Sequence, residues 1–74
     1  MSVIREDWSK KSTSVDTTQY DTETGVLVVT FRFGAKYQYW TIPKEVWDKR
    51  LTVPSIGKFI NSEIKPKYSC TKLE

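Results

Sequence analysis

The stretch VLVVTFRFGAKYQYWTI, residues 26–42, decides the fold of this chain. Two runs of β-branched and aromatic residues meet at Gly34, which is the pattern of a β-hairpin. Side chains alternate between the two faces of a strand, so odd and even positions form separate sets. The odd positions are the more apolar, and we expect them to form the core face: Leu27, Val29, Phe31, Phe33, Tyr37 and Tyr39.

The loop of this hairpin determines which residues pair across it. A two-residue turn at Gly34 and Ala35 would place Lys36 beside the phenylalanines. An odd-length loop or a bulge instead brings the aromatic residues of the two strands together on one face. We predict this arrangement because Gly34 followed by Ala35 suits a bulged loop. The predicted pairs are residue 33 with 37, 31 with 39 and 29 with 41.

The chain before the hairpin is polar and contains one more predicted strand. Residues 1–11 are mixed in charge and lack periodicity, so we expect a flexible tail. Its Trp8 is expected to dock on the core, with contact to a partner as the alternative. The run STSVDTTQY, residues 12–20, is rich in β-branched residues, which predicts an edge strand. Gly25 can adopt a positive φ, so this strand should turn back and pair antiparallel with the hairpin.

Two short helices are predicted after the hairpin. Pro43 ends the sheet and suits the start of a helix whose apolar side carries Pro43, Trp47 and Leu51, with Trp47 pointing inward. The solvent side of this helix is predicted to carry Lys44, Asp48, Lys49 and Arg50. Ser55 is a suitable N-cap for a second helix, which Pro66 ends. The apolar stripe of the second helix should lie on the sheet, and it consists of Ile56, Phe59, Ile60 and Ile64.

These elements predict an α+β fold with one domain. The sheet is small and antiparallel, with three strands, or four if residues 67–72 add an extended segment, and the two helices pack on one face. A chain of 74 residues has room for a single core. We place the domain at residues 12–72, and residues 73–74 are either native or the remnant of a tag.

The composition limits the location and assembly of the protein. Cys70 is the only cysteine, so an internal disulfide is excluded and a reducing cytoplasm is the default location. No apolar run approaches the roughly 18 residues that cross a bilayer, and the N-terminus lacks the pattern of a signal peptide. We therefore expect a cytoplasmic protein without a membrane partner. The polar edge strand at residues 12–20 favours a monomer.

No residue pattern indicates catalysis, a cofactor or a metal ion. Histidine is absent, which excludes His-based triads and His metal ligands. Cys70 has no histidine to activate it as a nucleophile. The acidic residues are scattered rather than clustered. We therefore predict that the protein is not an enzyme.

A basic and aromatic surface is the candidate binding site. Residues 38–74 carry seven basic and four acidic side chains, against five of each in residues 1–37, which suits an anionic partner. The start of the second helix can hold a phosphate on its amide groups, with capping and packing as the alternative. Lysines for phosphate and flat rings for base stacking suit single-stranded RNA, DNA or a nucleotide. The predicted residues are Arg32, Trp40, Ser55, Gly57, Lys58, Lys65, Lys67 and Tyr68.

A protein-interaction module is the alternative function. Such a module, for instance a phage-encoded or accessory protein, would dock on a partner enzyme through the hairpin edge or an exposed aromatic patch. Binding of nucleic acid should weaken steeply with salt, whereas apolar docking should not. Within the hairpin, we expect binding by the even face with Arg32 and Trp40, or by the loop at Phe33 and Gly34.

The order of several residues resembles the KTSC domain family over about residues 12–68. Two phrases carry the resemblance: Gly34-x-x-Tyr37-x-Tyr39 followed by Ile42-Pro43, and Ser55-x-Gly57-x-Phe59-x-Asn61. The family is named for modules at the C-terminal end of some lysyl-tRNA synthetases, and members also occur as free-standing bacterial and phage proteins. The resemblance implies an α+β module without an established enzymatic activity. It suggests RNA or nucleotides as ligands by association with the synthetase only.

Overall fold

Residues 2–73, which the computed structural model describes, form a five-stranded antiparallel sheet and two short helical segments. The strands lie side by side in chain order: β1 (Val3–Asp7), β2 (Val15–Asp21), β3 (Leu27–Phe31), β4 (Lys36–Tyr39) and β5 (Cys70–Lys72). The helices are α1 (Lys44–Asp48), which continues as a 3₁₀ turn at Lys49–Leu51, and α2 (Ile56–Phe59), which continues as a π-helical segment at Ile60–Ile64. The α+β class is confirmed, but the sheet has more than the three or four strands predicted.

The N-terminal segment is a strand rather than a flexible tail. Val3–Asp7 pairs with β2 along its whole length. Trp8 then packs on the core, as predicted, and its indole Nε1–H donates to Thr18 Oγ1 at 2.9 Å. Because β1 covers β2, the prediction of β2 as an edge strand is also wrong. Met1, the first residue of the predicted tail, lies outside the described residues.

The central hairpin of β3 and β4 has the predicted odd-length loop but a different register. Val29 lies opposite Tyr37, and Leu27 lies opposite Tyr39. The predicted pairs, 29 with 41, 31 with 39 and 33 with 37, are therefore wrong. The odd positions still share one side of the sheet, because the register differs by an even number of residues.

The hairpin loop contains Arg32, Phe33 and Gly34. The Phe31 N–H donates to the Ala35 carbonyl oxygen at 2.8 Å, and this bond closes the loop. Gly34 has a φ of 97°, a conformation that other residues rarely adopt. A three-residue loop with glycine in this region is a common hairpin connection. Phe33 therefore lies at the tip and is 75% exposed, rather than on the core face.

The helices pack on one face of the sheet, as predicted. Trp47 of α1 is fully buried, and its ring lies 5.7 Å from the ring of Tyr20 and 6.0 Å from that of Phe59, measured between centroids. The predicted apolar stripe of the second helix is also buried, at Ile56, Phe59, Ile60 and Ile64. Burial of each large apolar side chain contributes about 1.5–3 kcal/mol, so helices and sheet stabilise each other. Among residues 2–73, no helix has the length and apolar character needed to cross a membrane.

Arg50 is buried and Leu51 is exposed, which is the reverse of the prediction. After Asp48 the helix tightens into the 3₁₀ turn, and the α-helical spacing used for the prediction no longer applies. Arg50 is only 7% exposed, lies 4.7 Å above the centre of the Trp47 ring and pairs with Glu6 of β1. Leu51 is 69% exposed. The prediction of an inward Leu51 and an outward Arg50 is therefore wrong.

The last strand forms in the segment that the sequence marked as extended. β5 pairs antiparallel with β4. The Leu73 N–H then donates to the Lys36 carbonyl oxygen at 2.7 Å, so the pairing reaches beyond residue 72. Glu74, the other half of the predicted tag remnant, lies outside the described residues.

Two buried tyrosines make the fold less stable at alkaline pH. Burial is the main cause that raises the pKa of Tyr20 and Tyr39 above the ordinary value of 10.0. Folding favours the protonated phenols. Their contribution to the free energy of unfolding is therefore complete below the ordinary pKa, and it is lost as the pH rises through the raised pKa values of the folded state. We expect urea unfolding to give a falling free energy of unfolding above about pH 10, with a smaller fall in Tyr20→Phe. A free energy that stays constant across this range would contradict the burial of both phenols.

Candidate functional site

A groove lies where the β3–β4 hairpin tip, β5 and the second helical segment meet. Its volume is about 220 Å³. Four of its eight lining side chains are phenylalanine or tyrosine, and we therefore call it the aromatic groove. The lining residues are Ser14, Phe31, Phe33, Tyr37, Tyr39, Asn61, Lys65 and Cys70.

Phe33 is the most exposed ring of the aromatic groove. It stacks on Phe31 with the ring centroids 5.3 Å apart and 15° between the ring planes. Tyr37 packs edge-on against Phe31, at 5.7 Å and 77°. Both arrangements are favourable for aromatic pairs. Phe31 is thus held between two rings and supports Phe33, most of whose surface remains open to a ligand.

The polar wall of the aromatic groove comes from the second helical segment and the loop before β2. Asn61 and Lys65 are four residues apart, which places them on the same side of a helix, and both are exposed. Gly57, one turn earlier, is buried, and a Cβ at this position would clash with Ser14 Oγ. This close approach brings the loop of Ser14 to the rim of the groove.

β5 closes the opposite side of the aromatic groove. Cys70 lies opposite Tyr39, and Lys72 lies opposite Tyr37. Lys72 also lines a shallow depression at the hairpin tip together with Phe33 and Tyr37. Lys65 and Lys72 therefore border the same pair of aromatic rings.

Lys65 and Gly57 are the predicted site residues that the structure brings to the aromatic groove. Lys65 lines it, and Gly57 shapes its rim. Ser55 caps α2, with its Oγ accepting from the Lys58 N–H at 3.4 Å, while Lys58 itself is exposed. Capping is the role that the sequence offered as the alternative to phosphate binding at Ser55. Phosphate binding at this helix start stays a prediction.

The other four predicted residues do not line the aromatic groove. Lys67 pairs with Glu63 at 3.0 Å, and this hydrogen bond lowers the pKa of the Glu63 carboxyl. Tyr68 is half-buried and packs against the core. Arg32 is exposed in the hairpin loop, and Trp40, 43% exposed, follows β4 at the end away from that loop. The eight predicted residues therefore do not form one surface.

Of the residues that line the aromatic groove, only Lys65 is among the eight predicted site residues. The four aromatic residues were predicted for the core face, and the loop at Phe33 was also named as a possible binding segment. No binding role was predicted for the other three lining residues, which are Ser14, Asn61 and Cys70. Asn61 has a signal, because it lies midway between Gly57 and Lys65 at four-residue spacing. Ser14 and Cys70 have none, since only the folded sheet brings their segments to the hairpin tip.

The aromatic groove combines three kinds of recognition. Its rings offer flat surfaces for stacking, the Asn61 amide can both donate and accept hydrogen bonds, and the Lys65 ammonium donates and carries positive charge. Across residues 2–73, no cluster of three His, Cys, Asp or Glu side chains is placed to hold a metal ion. The groove is suited to a flat ligand that has a polar edge and a negative group.

Comparisons with known proteins identify a family. The profile of the KTSC domain family matches residues 11–68. A protein from Tsukamurella paurometabola is 33% identical over 63 residues, covering 85% of this chain and 94% of that protein. An uncharacterized protein from Stutzerimonas stutzeri is 36% identical over 58 residues, covering 78% of this chain and 82% of that protein. The crystal structure of a KTSC domain protein from Yersinia pestis aligns with a TM-score of 0.83 at 28% identity, over 99% of this chain and 100% of that one.

Proposed function

The chain belongs to the KTSC domain family, and from this premise we propose that it is a small non-enzymatic binding module that holds single-stranded RNA, DNA or a nucleotide in the aromatic groove. The observation that carries the proposal is the exposed Phe33 ring in the same groove as Lys65. A base stacks on an open aromatic ring, and an ammonium group pairs with phosphate.

The size of the aromatic groove limits what it holds. A volume of about 220 Å³ suits one flat ring rather than several. One base stacks on Phe33, and the Asn61 amide lies in the same groove to contact the polar edge of that base. Neighbouring nucleotides of a longer strand run over the hairpin tip.

The charges around the aromatic groove support an anionic ligand. Within residues 2–73, Lys65 and Lys72 form no ion pair. Lys67, in contrast, forms an ion pair with Glu63. Both free ammonium groups border the rings of the hairpin tip. Their charge is therefore available to phosphates on either side of a stacked base.

A titration of the isotope-labelled protein at low salt tests the proposal. The ligands are oligouridylate, oligothymidylate and a mononucleotide. We expect saturable NMR shifts at the amides of Phe33, Asn61 and Lys65 with at least one ligand. Binding of a strand should weaken with salt, with a slope of about −0.7 in log K against log salt for each phosphate contacted.

Two results would overturn this proposal. The first is the absence of any shift at these amides with all three ligands at low salt. The second is strand binding at these amides that does not change with salt. In either case the exposed Phe33 ring is better explained as a contact for a protein partner.

A further inference from the structure

One edge of the sheet is formed by β1, and no strand among residues 2–73 covers its outer side. The expectation of a monomer rested on residues 12–20 as an edge strand, but β1 covers that segment by pairing with β2. We call the outer side of Val3–Asp7 the β1 edge. No residue of β1 lines the aromatic groove, so an inference about the β1 edge is independent of the proposed function.

The backbone groups of β1 alternate between β2 and the open side. In an antiparallel pair, residues that exchange hydrogen bonds alternate with residues whose N–H and C=O groups point away. The Thr22 N–H donates to the Ser2 carbonyl oxygen at 2.9 Å. The Trp8 N–H donates to the Asp16 carbonyl oxygen at 2.8 Å, so the even positions of β1 bond to β2. The outward backbone groups belong to Val3, Arg5 and Asp7.

β1 lacks several features that prevent strands from pairing at an edge. It contains no proline and no lysine, and it pairs with β2 without a bulge. Glu6 is a charged residue on the helix side of the strand, but its carboxylate is paired with Arg50. β5, the other edge, has three residues and includes Lys72. β1 is therefore the edge better suited to pairing with another strand.

The side chains of β1 are complementary to a second copy of the same strand. Arg5 and Asp7 are both exposed on the face away from the helices. Around a two-fold axis between two copies of Glu6, Arg5 of each copy lies opposite Asp7 of the other. Ile4 then lies opposite Trp8, which is an apolar pair. An axis at Arg5 would instead place two arginines opposite each other.

The two charged side chains of the β1 edge are available for these pairs. Within residues 2–73, neither Arg5 nor Asp7 forms an ion pair. Asp7 Oδ1 accepts from the Ser9 N–H at 2.8 Å, and this hydrogen bond is the main cause that lowers the pKa of the Asp7 carboxyl. The carboxyl group is therefore ionised at neutral pH and carries the negative charge that the pairing requires.

Apolar side chains lie beside the β1 edge. Leu51 is 69% exposed and lines a cleft together with Glu6 and Trp8, so it lies near the edge on the helix side. Val3, within the edge itself, is 44% exposed. A second copy at the edge removes part of this apolar surface from water, which favours association.

We propose that two copies of the chain form a symmetric dimer in which their β1 strands pair antiparallel about Glu6. Arg5 of each copy exchanges backbone hydrogen bonds with Asp7 of the other, and their side chains form an ion pair. The two sheets become one continuous sheet. Because β1 has only five residues, the interface is small, and we expect a dissociation constant on the order of 0.1 mM.

Sedimentation velocity of the full-length protein, from about 10 μM to about 1 mM, tests the proposal. We expect a reversible change from monomer to dimer within this range and no larger species. A protein that remains monomeric at the highest concentration would overturn the proposal. Assemblies that continue to grow beyond the dimer would also overturn it, because they indicate pairing of β1 with β5 rather than with itself.

Charge-reversal variants test the pairing of Arg5 with Asp7. Arg5→Asp and Asp7→Arg each place like charges opposite each other, so each variant alone should self-associate at least about tenfold more weakly. An equimolar mixture restores opposite charges and should form a heterodimer with the affinity of the wild type. Lys58→Asp reverses an exposed charge outside β1 and is the matched control, with no expected change. Unchanged self-association of both β1 variants, or a mixture that stays monomeric, would contradict the proposal.

The wild type provides a test that needs no variant. In a mixed sample of labelled and unlabelled protein, NMR should show an intermolecular contact between the Hα protons of two Glu6 residues. These protons face each other because Glu6 directs its backbone N–H and C=O groups to β2 and forms a non-hydrogen-bonded pair across the axis. Contacts between two copies of Ile4 or of Arg5 would place the axis elsewhere and overturn the proposed register.

Discussion

Replacement of Trp47 by alanine is expected to unfold most of the protein at room temperature. The side chain is fully buried and contacts the rings of Tyr20 and Phe59 and the guanidinium of Arg50. Removal of a core tryptophan costs about 3–5 kcal/mol. The core of a domain this small rarely supplies more than about that amount. Circular dichroism and the dispersion of NMR signals measure the folded fraction.

Trp40→Ala is the matched control for this prediction. It removes the same side chain from a position that is 43% exposed. The expected loss in free energy of unfolding is below about 1 kcal/mol. If Trp47→Ala unfolds cooperatively with a stability equal to that of Trp40→Ala, then Trp47 does not join the helices to the sheet.

Gly25→Ala is expected to lower the free energy of unfolding by about 2–4 kcal/mol. Gly25 has a φ of 75°, and a Cβ there would lie 3.0 Å from both the backbone nitrogen and the carbonyl oxygen of Ile42. These backbone atoms are held in place. The Ile42 N–H donates to the Gly25 carbonyl oxygen at 2.9 Å, and the Ile42 carbonyl oxygen accepts from the Tyr20 hydroxyl at 2.6 Å. The added methyl group therefore strains a fixed contact, which urea unfolding measures.

Gly34→Ala separates the two parts of that cost. Gly34 also has a positive φ, 97°, but among the described residues no atom lies within 4 Å of a Cβ built there. Only the conformational cost of about 1–2 kcal/mol applies. The difference between the two variants measures the clash with Ile42. Equal losses in Gly25→Ala and Gly34→Ala would show that this close approach does not exist.

The sequence was sufficient to predict the core face of the central sheet but not its edges. Apolar alternation identifies Val29 and Tyr37 as residues on one face of the sheet. This holds for every register with an odd-length loop, because such a loop pairs odd positions with odd positions. β1 gives no comparable signal. Its core-side residues include Glu6, whose half-buried position depends on a partner, Arg50, that is far away in the chain. Local periodicity does not report such a pair.

The candidate site was less predictable than the fold. Lys65 and Lys67 were predicted together as parts of one basic and aromatic surface. The structure separates the two, because Lys67 is neutralised by Glu63 whereas Lys65 lines the aromatic groove. Phe33 is a site residue because the observed hairpin register places its ring at the loop tip, whereas the predicted register placed it on the core face.

The affinity of oligouridylate for the wild type, Phe33→Ala and Trp40→Ala, measured by fluorescence anisotropy at low salt, tests the central claim most directly. Both variants remove one exposed aromatic ring, but only Phe33 lies in the aromatic groove. Loss of one stacked base costs about 1–3 kcal/mol, so Phe33→Ala should weaken binding about 5- to 150-fold while Trp40→Ala leaves it unchanged. Equal affinities for the wild type and Phe33→Ala, or equal losses in the two variants, would contradict the claim that a base stacks on Phe33.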